Sequence, residues 1–201
     1  MNQFIPRFIE TIRLQGGVLH HLPLHQARVD GTLAQHALPT LDLKEVLAGV
    51  ESQYSDGLYK CRVLYGGNDP EVEVRPYSPL VRRCVSIVST DMDYSYKYAD
   101  RTRLDALLRS AGSDDVILVK DGLVTDSAIA NLVFESSSGL FTPRVPLLAG
   151  VQREHLLQQH QIRLADIRVE ELGRYEYVHF INAMVPLRTI APFPIRRLEV
   201  K

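Results

Sequence analysis

Tryptophan is absent from this chain of 201 residues, and cysteine nearly so, with only Cys61 and Cys84. Two thiols so far apart make neither a disulfide framework nor a zinc-ligand pattern. The expectation is a reduced protein in the cytoplasm. No stretch approaches the roughly 18 apolar residues of a membrane span. The opening Met1-Asn-Gln-Phe-Ile-Pro-Arg7 has no basic region or apolar run of the kind that directs secretion. An excess of one charge is also missing: 23 Lys and Arg against 24 Asp and Glu leave a net charge of -1, which gives no broad attraction to nucleic acid or membrane. The seven His are scattered. His20 and His21 are adjacent and point different ways on a helix or a strand, so no metal site is expected from them. Internal repeats and low-complexity segments are lacking as well.

What remains is an ordinary core-forming sequence, 45% hydrophobic and 23% charged, enough for one large domain or two small lobes. Phe8 to Leu14 reads as a strand, Gln15-Gly-Gly17 as a hairpin turn and Val18 to Leu22 as the return strand. Leu24 to Leu38 reads as a helix carrying Arg28 near its start. Leu41 to Val50 reads as a second helix, with Leu43, Val46, Leu47 and Val50 on one face. Lys60 to Tyr65 is a strand, Gly66-Gly-Asn-Asp-Pro70 a turn, and Glu71 to Pro76 an alternating strand that pairs back. Further on, Cys84 to Ser89, Asp115 to Lys120, Leu123 to Thr125, Asn131 to Phe134, Leu140 to Thr142 and Tyr177 to Asn182 read as strands. Arg103 to Ala111, closed by Gly112, and Gln152 to His160 read as helices. The expected class is α+β, with a small α+β lobe over residues 1–83 and a larger, strand-rich lobe over 84–201.

Three features point to chemistry. Lys97 lies in Tyr94-Ser-Tyr-Lys-Tyr-Ala-Asp-Arg101. Asp126 lies in Val124-Thr-Asp-Ser-Ala-Ile-Ala-Asn-Leu-Val-Phe134. Gly150 lies in Leu147-Leu-Ala-Gly-Val-Gln-Arg153. Singly, each is ordinary: a solvated strand lysine, a turn aspartate, a cap glycine. As an ordered set they suit an aldehyde cofactor that carries a phosphate. A desolvated lysine loses its proton more easily and forms a Schiff base. Pyridoxal phosphate also needs an acid at its ring nitrogen and a cradle for its phosphate. Asp126 is the candidate acid. The helix start after Gly150 offers outward N–H groups and a favourable dipole, and Arg28 a charge-assisted contact.

The chain resembles the fold-type IV (class IV) pyridoxal-phosphate enzymes, among them branched-chain and D-amino-acid aminotransferases and 4-amino-4-deoxychorismate lyase. Phe8-Ile-Glu-Thr-Ile-Arg13 is similar to the family's Phe-Glu-Thr-Ile-Arg strand, with Ile9 as an extra residue. Leu24-His-Gln-Ala-Arg28 resembles its His-x-x-Arg helix. Gly122 to Phe134 follows the family's Gly-x-[Val/Ile]-[Thr/Ser]-Glu-x-x-x-x-Asn-[Leu/Ile]-Phe, and Phe141-Thr-Pro143 with Leu148-Ala-Gly-Val-Gln-Arg153 follows Thr-Pro … Leu-x-Gly-Ile-Thr-Arg. The resemblance implies a two-lobe D-amino-acid aminotransferase-like architecture, truncated at both ends, that works as a homodimer. By position it implies Lys97 as the Schiff-base lysine, Arg28 as the phosphate arginine, Asp126 at the ring nitrogen, and Gly150, Val151 and Gln152 around the phosphate. Asp126 stands where Glu is usual and Gln152 where Thr is usual. The partner of the cofactor's phenolic oxygen stays open among Tyr96, Tyr98 and Arg101. The first residues, Met1-Asn-Gln-Phe-Ile-Pro6, are a candidate contact with a partner chain.

Three activities follow from the resemblance. The first is 4-amino-4-deoxychorismate lyase, which releases pyruvate and leaves 4-aminobenzoate for folate synthesis. Ile181-Asn-Ala-Met-Val-Pro186 is similar to that lyase's Asn-Ala-Leu-x-Pro. The second is an aminotransferase for branched-chain or D-amino acids, with a substrate-carboxylate arginine among Arg62, Arg75, Arg82, Arg101 and Arg103. The third is an inactive relative that only binds pyridoxal phosphate or keeps the fold.

Overall fold

The computed structural model describes residues 6–67 and 69–200. The candidate contact segment at the N-terminus, apart from Pro6, and Asn68 of the expected turn lie outside them. The chain divides into two compact units, Met1–Ser78 with Tyr96–Asp100, and Pro79–Ser95 with Arg101–Lys201.

The first unit is a four-stranded antiparallel sheet with helices. Strand β1 (Phe8–Gln15) turns through Gly16 and Gly17, both at positive φ, into the two-residue β2 (Val18–Leu19). Such a turn suits glycine because both central residues are left-handed. Helix α1 (Leu22–Gln35) begins earlier than its periodicity suggests, with Pro23 in its first turn and His21 left-handed before it. Proline there loses no helical hydrogen bond, and the early start cuts the return strand short. The expected second helix is two single turns, α2 (Leu43–Val46) and α3 (Val50–Gln53), because Gly49 at φ 80 interrupts the spiral. Strands β3 (Leu58–Tyr65) and β4 (Glu71–Pro76) complete the order β2-β1-β3-β4. Ile9 causes no bulge: every residue of β1 pairs in step with β3. The core row of β1 is Phe8, Ile12 and Leu14, meeting Val29 and Leu33 of α1 and Cys61 and Val63 of β3.

The sequence divides the lobes at 83/84 and counts Lys97 with the second. By its contacts, Lys97 groups with the first unit. The reason is a non-local backbone pairing. Ile9 N–H donates to Lys97 O at 2.9 Å, Ala99 N–H to Arg7 O at 2.8 Å, and Tyr98 bridges Phe8.

The second unit is built on a mostly antiparallel sheet, nine-stranded among the described residues. Strand β5 (Val85–Ser89) runs parallel to β6 (Asp115–Lys120) through helix α4 (Thr102–Ala111), which Gly112 closes at φ 61. Asp121 and Gly122, both left-handed, turn β6 into β7 (Leu123–Ser127). Strands β8 (Asn131–Ser136) and β9 (Gly139–Pro143) follow. Helix α5 (Val151–Gln158) leads to β10 (Arg163–Ala165), parallel to β9. A 3-10 turn (Val169–Arg174) precedes β11 (Tyr177–Ile181), which pairs with β8 and with β12 (Phe193–Pro194). A short β13 (Glu199–Val200) lies parallel to β5. Leu132, Phe134, Ile117 and Val178 are fully buried at the centre. No described helix is long and apolar enough to cross a membrane.

Candidate active site

In the first unit, β1 and α1 build a buried charge cluster. Alternation along β1 puts Glu10 in the same row as Phe8 and Ile12, and its side chain is wholly buried. His25 and Arg28, three residues apart on α1, share the helix face above it. Arg28 grips the carboxylate with two parallel bonds, Nε to Oε1 at 2.8 Å and Nη2 to Oε2 at 2.6 Å. His25 Nδ1 is 2.5 Å from Oε2. Burial alone would raise the Glu10 pKa, but the Arg28 charge and the His25 and Arg28 bonds outweigh it and hold it at about 2. Burial lowers the His25 pKa. A neutral His25 beside an ionised Glu10 carries its proton on Nδ1, which leaves Nε2 as an acceptor; Nε2 is buried and has no hydrogen-bond partner.

Lys97 reaches this cluster from the segment that lines the open edge of β1. Its backbone is fixed by the Ile9 bond, and Tyr96 and Tyr98 pack around Phe8, with ring centroids 6.5 and 5.3 Å away. The Lys97 charge works against protonation of His25. Unit 1 therefore brings together two sequence candidates, Lys97 and Arg28, with two residues whose roles the sequence did not reveal, Glu10 and His25. The signal for Glu10 was present: it is a carboxylate in the apolar, period-2 row of a strand.

In the second unit, a tight turn positions Asp126. Ser127 Oγ accepts from Ile129 N–H and Ala130 N–H, at 3.2 and 2.9 Å, so that Asp126 and Asn131 face each other across β7 and β8. Asn131 Nδ2 donates to Asp126 Oδ1 at 2.7 Å and to Leu148 O at 2.8 Å, and Leu148 N–H donates to Asp126 Oδ2 at 2.8 Å. Burial raises the Asp126 pKa to about 6, against the pull of Leu148 N–H, Asn131 and Arg153. Each carboxylate oxygen keeps a second lone pair for another donor.

Gly150 ends this loop and starts α5. A Cβ at Gly150 would sit 1.8 Å from Asn131 Oδ1, so only glycine lets the backbone pass so close. No side chain caps α5, and its first residues, Val151, Gln152 and Arg153, are all buried. Initial N–H groups of a helix have no carbonyl to reach within it, and a buried, uncapped start is a ready place for an anion. Gln152 Oε1 is buried without a partner. Amide oxygen and nitrogen are interchangeable by assignment, so the turned amide presents an N–H pair. Arg153 is tied by Nη2 to Pro143 O at 2.8 Å. The donors at the α5 start fit a phosphate, and the Asp126 carboxylate fits a protonated ring nitrogen. The amine of Lys97 fits an aldehyde. Each unit by itself thus offers groups of a kind that pyridoxal phosphate needs.

The remaining candidates are engaged. Arg101 donates to Ala128 O at 2.9 Å and pairs with Asp105. Arg62 and Arg75 pair with Glu73, Arg82 with Asp115, and Arg103 with Asp91.

Residues 7–192 match the family model for amino-transferase class IV. An uncharacterized protein of Haemophilus influenzae is 30% identical over 181 residues, which cover 87% of this chain and 96% of that protein. The crystal structure of a candidate 4-amino-4-deoxychorismate lyase from Haemophilus somnus superposes with a TM-score of 0.85 at 34% identity, covering 90% of this chain and 98% of that one. A fold IV transaminase of Curtobacterium pusillum shares the fold, with a TM-score of 0.76 at 20% identity over 97% of this chain and 76% of its own. The chain therefore belongs to the amino-transferase class IV family, the fold-type IV enzymes that work with pyridoxal phosphate.

Proposed function

We propose that this enzyme is a 4-amino-4-deoxychorismate lyase, releasing pyruvate and 4-aminobenzoate in cytoplasmic folate synthesis. The observation that carries the reading is the similarity, almost end to end, to the candidate lyase of Haemophilus somnus. The local geometry of the lyase-like Asn182-Ala-Met-Val-Pro186 adds support. Asn182 Oδ1 accepts from Met184 N–H and Val185 N–H, at 2.9 and 3.0 Å, while Asn182 Nδ2 donates to Ile129 O at 3.1 Å. A rigid turn is thereby tied to the loop that carries Asp126.

Bound pyridoxal phosphate supplies a ring that withdraws electrons from the substrate's α-carbon. Lys97 would hold the aldehyde, and its amine, once freed by the substrate, would move the α-proton as general base and acid. Arg28, backed by Glu10, would be a phosphate ligand, as would the N–H groups of Val151 and Gln152 next to Gly150. Asp126 would keep the ring nitrogen protonated. The same reading takes the chain as a homodimer, which light scattering at twice the chain mass tests.

The test is to load the protein with pyridoxal phosphate, record its visible spectrum against Lys97→Ala, then supply 4-amino-4-deoxychorismate and assay 4-aminobenzoate. The expected result is a visible band that the variant lacks, followed by product. A band without product overturns the lyase reading in favour of an aminotransferase for branched-chain or D-amino acids. No band removes Lys97 from its role and leaves an inactive relative.

A further inference from the structure

The chain from β11 onward and the stretch Leu80 to Arg82 line a half-open cavity of about 220 Å3 in the second unit, and none of Asp126, Gly150, Val151 or Gln152 lines it. Its walls are mixed, with Phe180, Ile181, Val185 and Phe193 supplying apolar surface. Its charged lining side chains are the arginines Arg82, Arg188 and Arg197, and no carboxylate side chain lines it.

Two of the lining groups are built in. Arg82 is 8% exposed, and Asp115 fixes it through Nε to Oδ2 at 2.7 Å. Asp115 is itself held by Val116 N–H and Ala128 N–H on Oδ1. The guanidinium lies 4.1 Å over the Phe180 ring. Its Nη groups have no hydrogen bond to the described residues, so the outer side of the fork is available for a carboxylate. His179 is 5% exposed. Its Nε2 is 2.7 Å from Glu135 Oε2, and its Nδ1 is buried without a partner.

We propose that this cavity is a binding site for a small aromatic carboxylate. The carboxylate meets the Arg82 fork, with Arg188 and Arg197 at the rim. The ring lies against the apolar part of the wall. The size is sufficient, since an apolar cavity of about 150 Å3 holds benzene. The inference does not depend on the lyase reading.

The test is calorimetric titration of the pyridoxal-phosphate-loaded full chain with 4-hydroxybenzoate, benzoate and 4-hydroxybenzamide. The expected result is that 4-hydroxybenzoate and benzoate both bind, and that the uncharged amide is weaker by about tenfold or more. Arg82→Lys, which keeps the charge but loses the fork, is expected to weaken 4-hydroxybenzoate about tenfold. Ala191→Trp plugs the cavity from an exposed lining position, leaves the ion pairs untouched, and is expected to abolish binding without lowering the melting temperature. Lys97→Ala is expected to bind normally. Equal binding of acid and amide, or undiminished binding by Ala191→Trp, overturns the proposal. So does a change in the visible band on adding the ligand, which would put it at the cofactor. Binding by a protein that forms no 4-aminobenzoate would sink the lyase reading and leave this site standing.

Discussion

Glu10 has the least replaceable side chain of the first unit. A carboxylate out of water is tolerated only when paired and hydrogen-bonded, and Glu10 meets that condition with Arg28 on two bonds and His25 on a third. The pairing also fixes the plane of the Arg28 guanidinium, so under the proposed role of Arg28 any effect of Glu10 on the phosphate passes through Arg28. Glu10→Gln keeps the shape and one acceptor but leaves Arg28 without its counter-charge. Breaking a buried pair from one side costs about 3–5 kcal/mol, so a marked fall in urea stability is expected. The diagnostic readout is selective. Titration followed by visible absorbance should show pyridoxal phosphate weakened about tenfold or more, as for loss of an oriented charged contact, with unphosphorylated pyridoxal unchanged. Equal weakening of both compounds would show that Glu10 does not work through the phosphate contact. Asp126 shows how a shorter acid is held in a glutamate position. Leu148 N–H and Asn131 Nδ2 come to it, one on each oxygen.

At the scale of elements, the loop into α5 depends on the fit between Gly150 and Asn131. Gly150 has φ -79 and ψ 143, a conformation open to any residue, so its need for glycine is purely one of space. Gly150→Ala forces a methyl group into Asn131 Oδ1 and should cost on the order of 1–3 kcal/mol, the usual range for overpacking. Asn131→Ala removes the clash but deprives Asp126 Oδ1 and Leu148 O of their donor, a loss of about 1–3 kcal/mol. The double variant should therefore be more stable than the two single losses added together. Additive losses in chemical denaturation would mean that the loop moves aside at no cost. Local chemistry of this kind was legible in the sequence. The Gly16-Gly17 and Asp121-Gly122 turns, the Gly112 cap and the pairing of β4 back onto β3 all stand where residue type dictates them. The break at Gly49 was not legible, because an apolar face runs on across it from Val46 and Leu47 to Val50. Nor was the placement of Lys97 beside β1, which depends on a backbone bond between residues 88 positions apart, Ile9 and Lys97. Of the site, the Lys97, Asp126 and Gly150 segments could be picked out from their order and the family resemblance, whereas the Glu10 cluster is created by packing a strand row against a helix face.

For the whole molecule, two of the buried carboxylates, Glu10 and Asp126, make opposite demands on pH. Glu10 has a folded pKa of about 2 against an ordinary 4.5. Its contribution is complete above the ordinary value and is lost as pH falls toward 2. Asp126 has a folded pKa of about 6 against 3.8. Folding favours its protonated form, so its contribution is complete below about 4 and is lost as pH rises through 6. At about 1.4 kcal/mol per pKa unit, each swing is of order 3 kcal/mol. The two windows barely overlap, so variants separate them. Glu10→Gln should flatten part of the stability loss below pH 4.5 and leave the slope between pH 4 and 6 as it was. Asp126→Asn should do the reverse: relative to this variant, the native protein loses stability as pH rises from 4 to 7. Urea denaturation of the cofactor-free protein at half-unit pH steps measures both differences. If the gap between native protein and Asp126→Asn stays constant from pH 4 to 7, Asp126 is not the strained acid its burial implies, and its hydrogen bonds from Leu148 and Asn131 fully offset the cost of burying its charge.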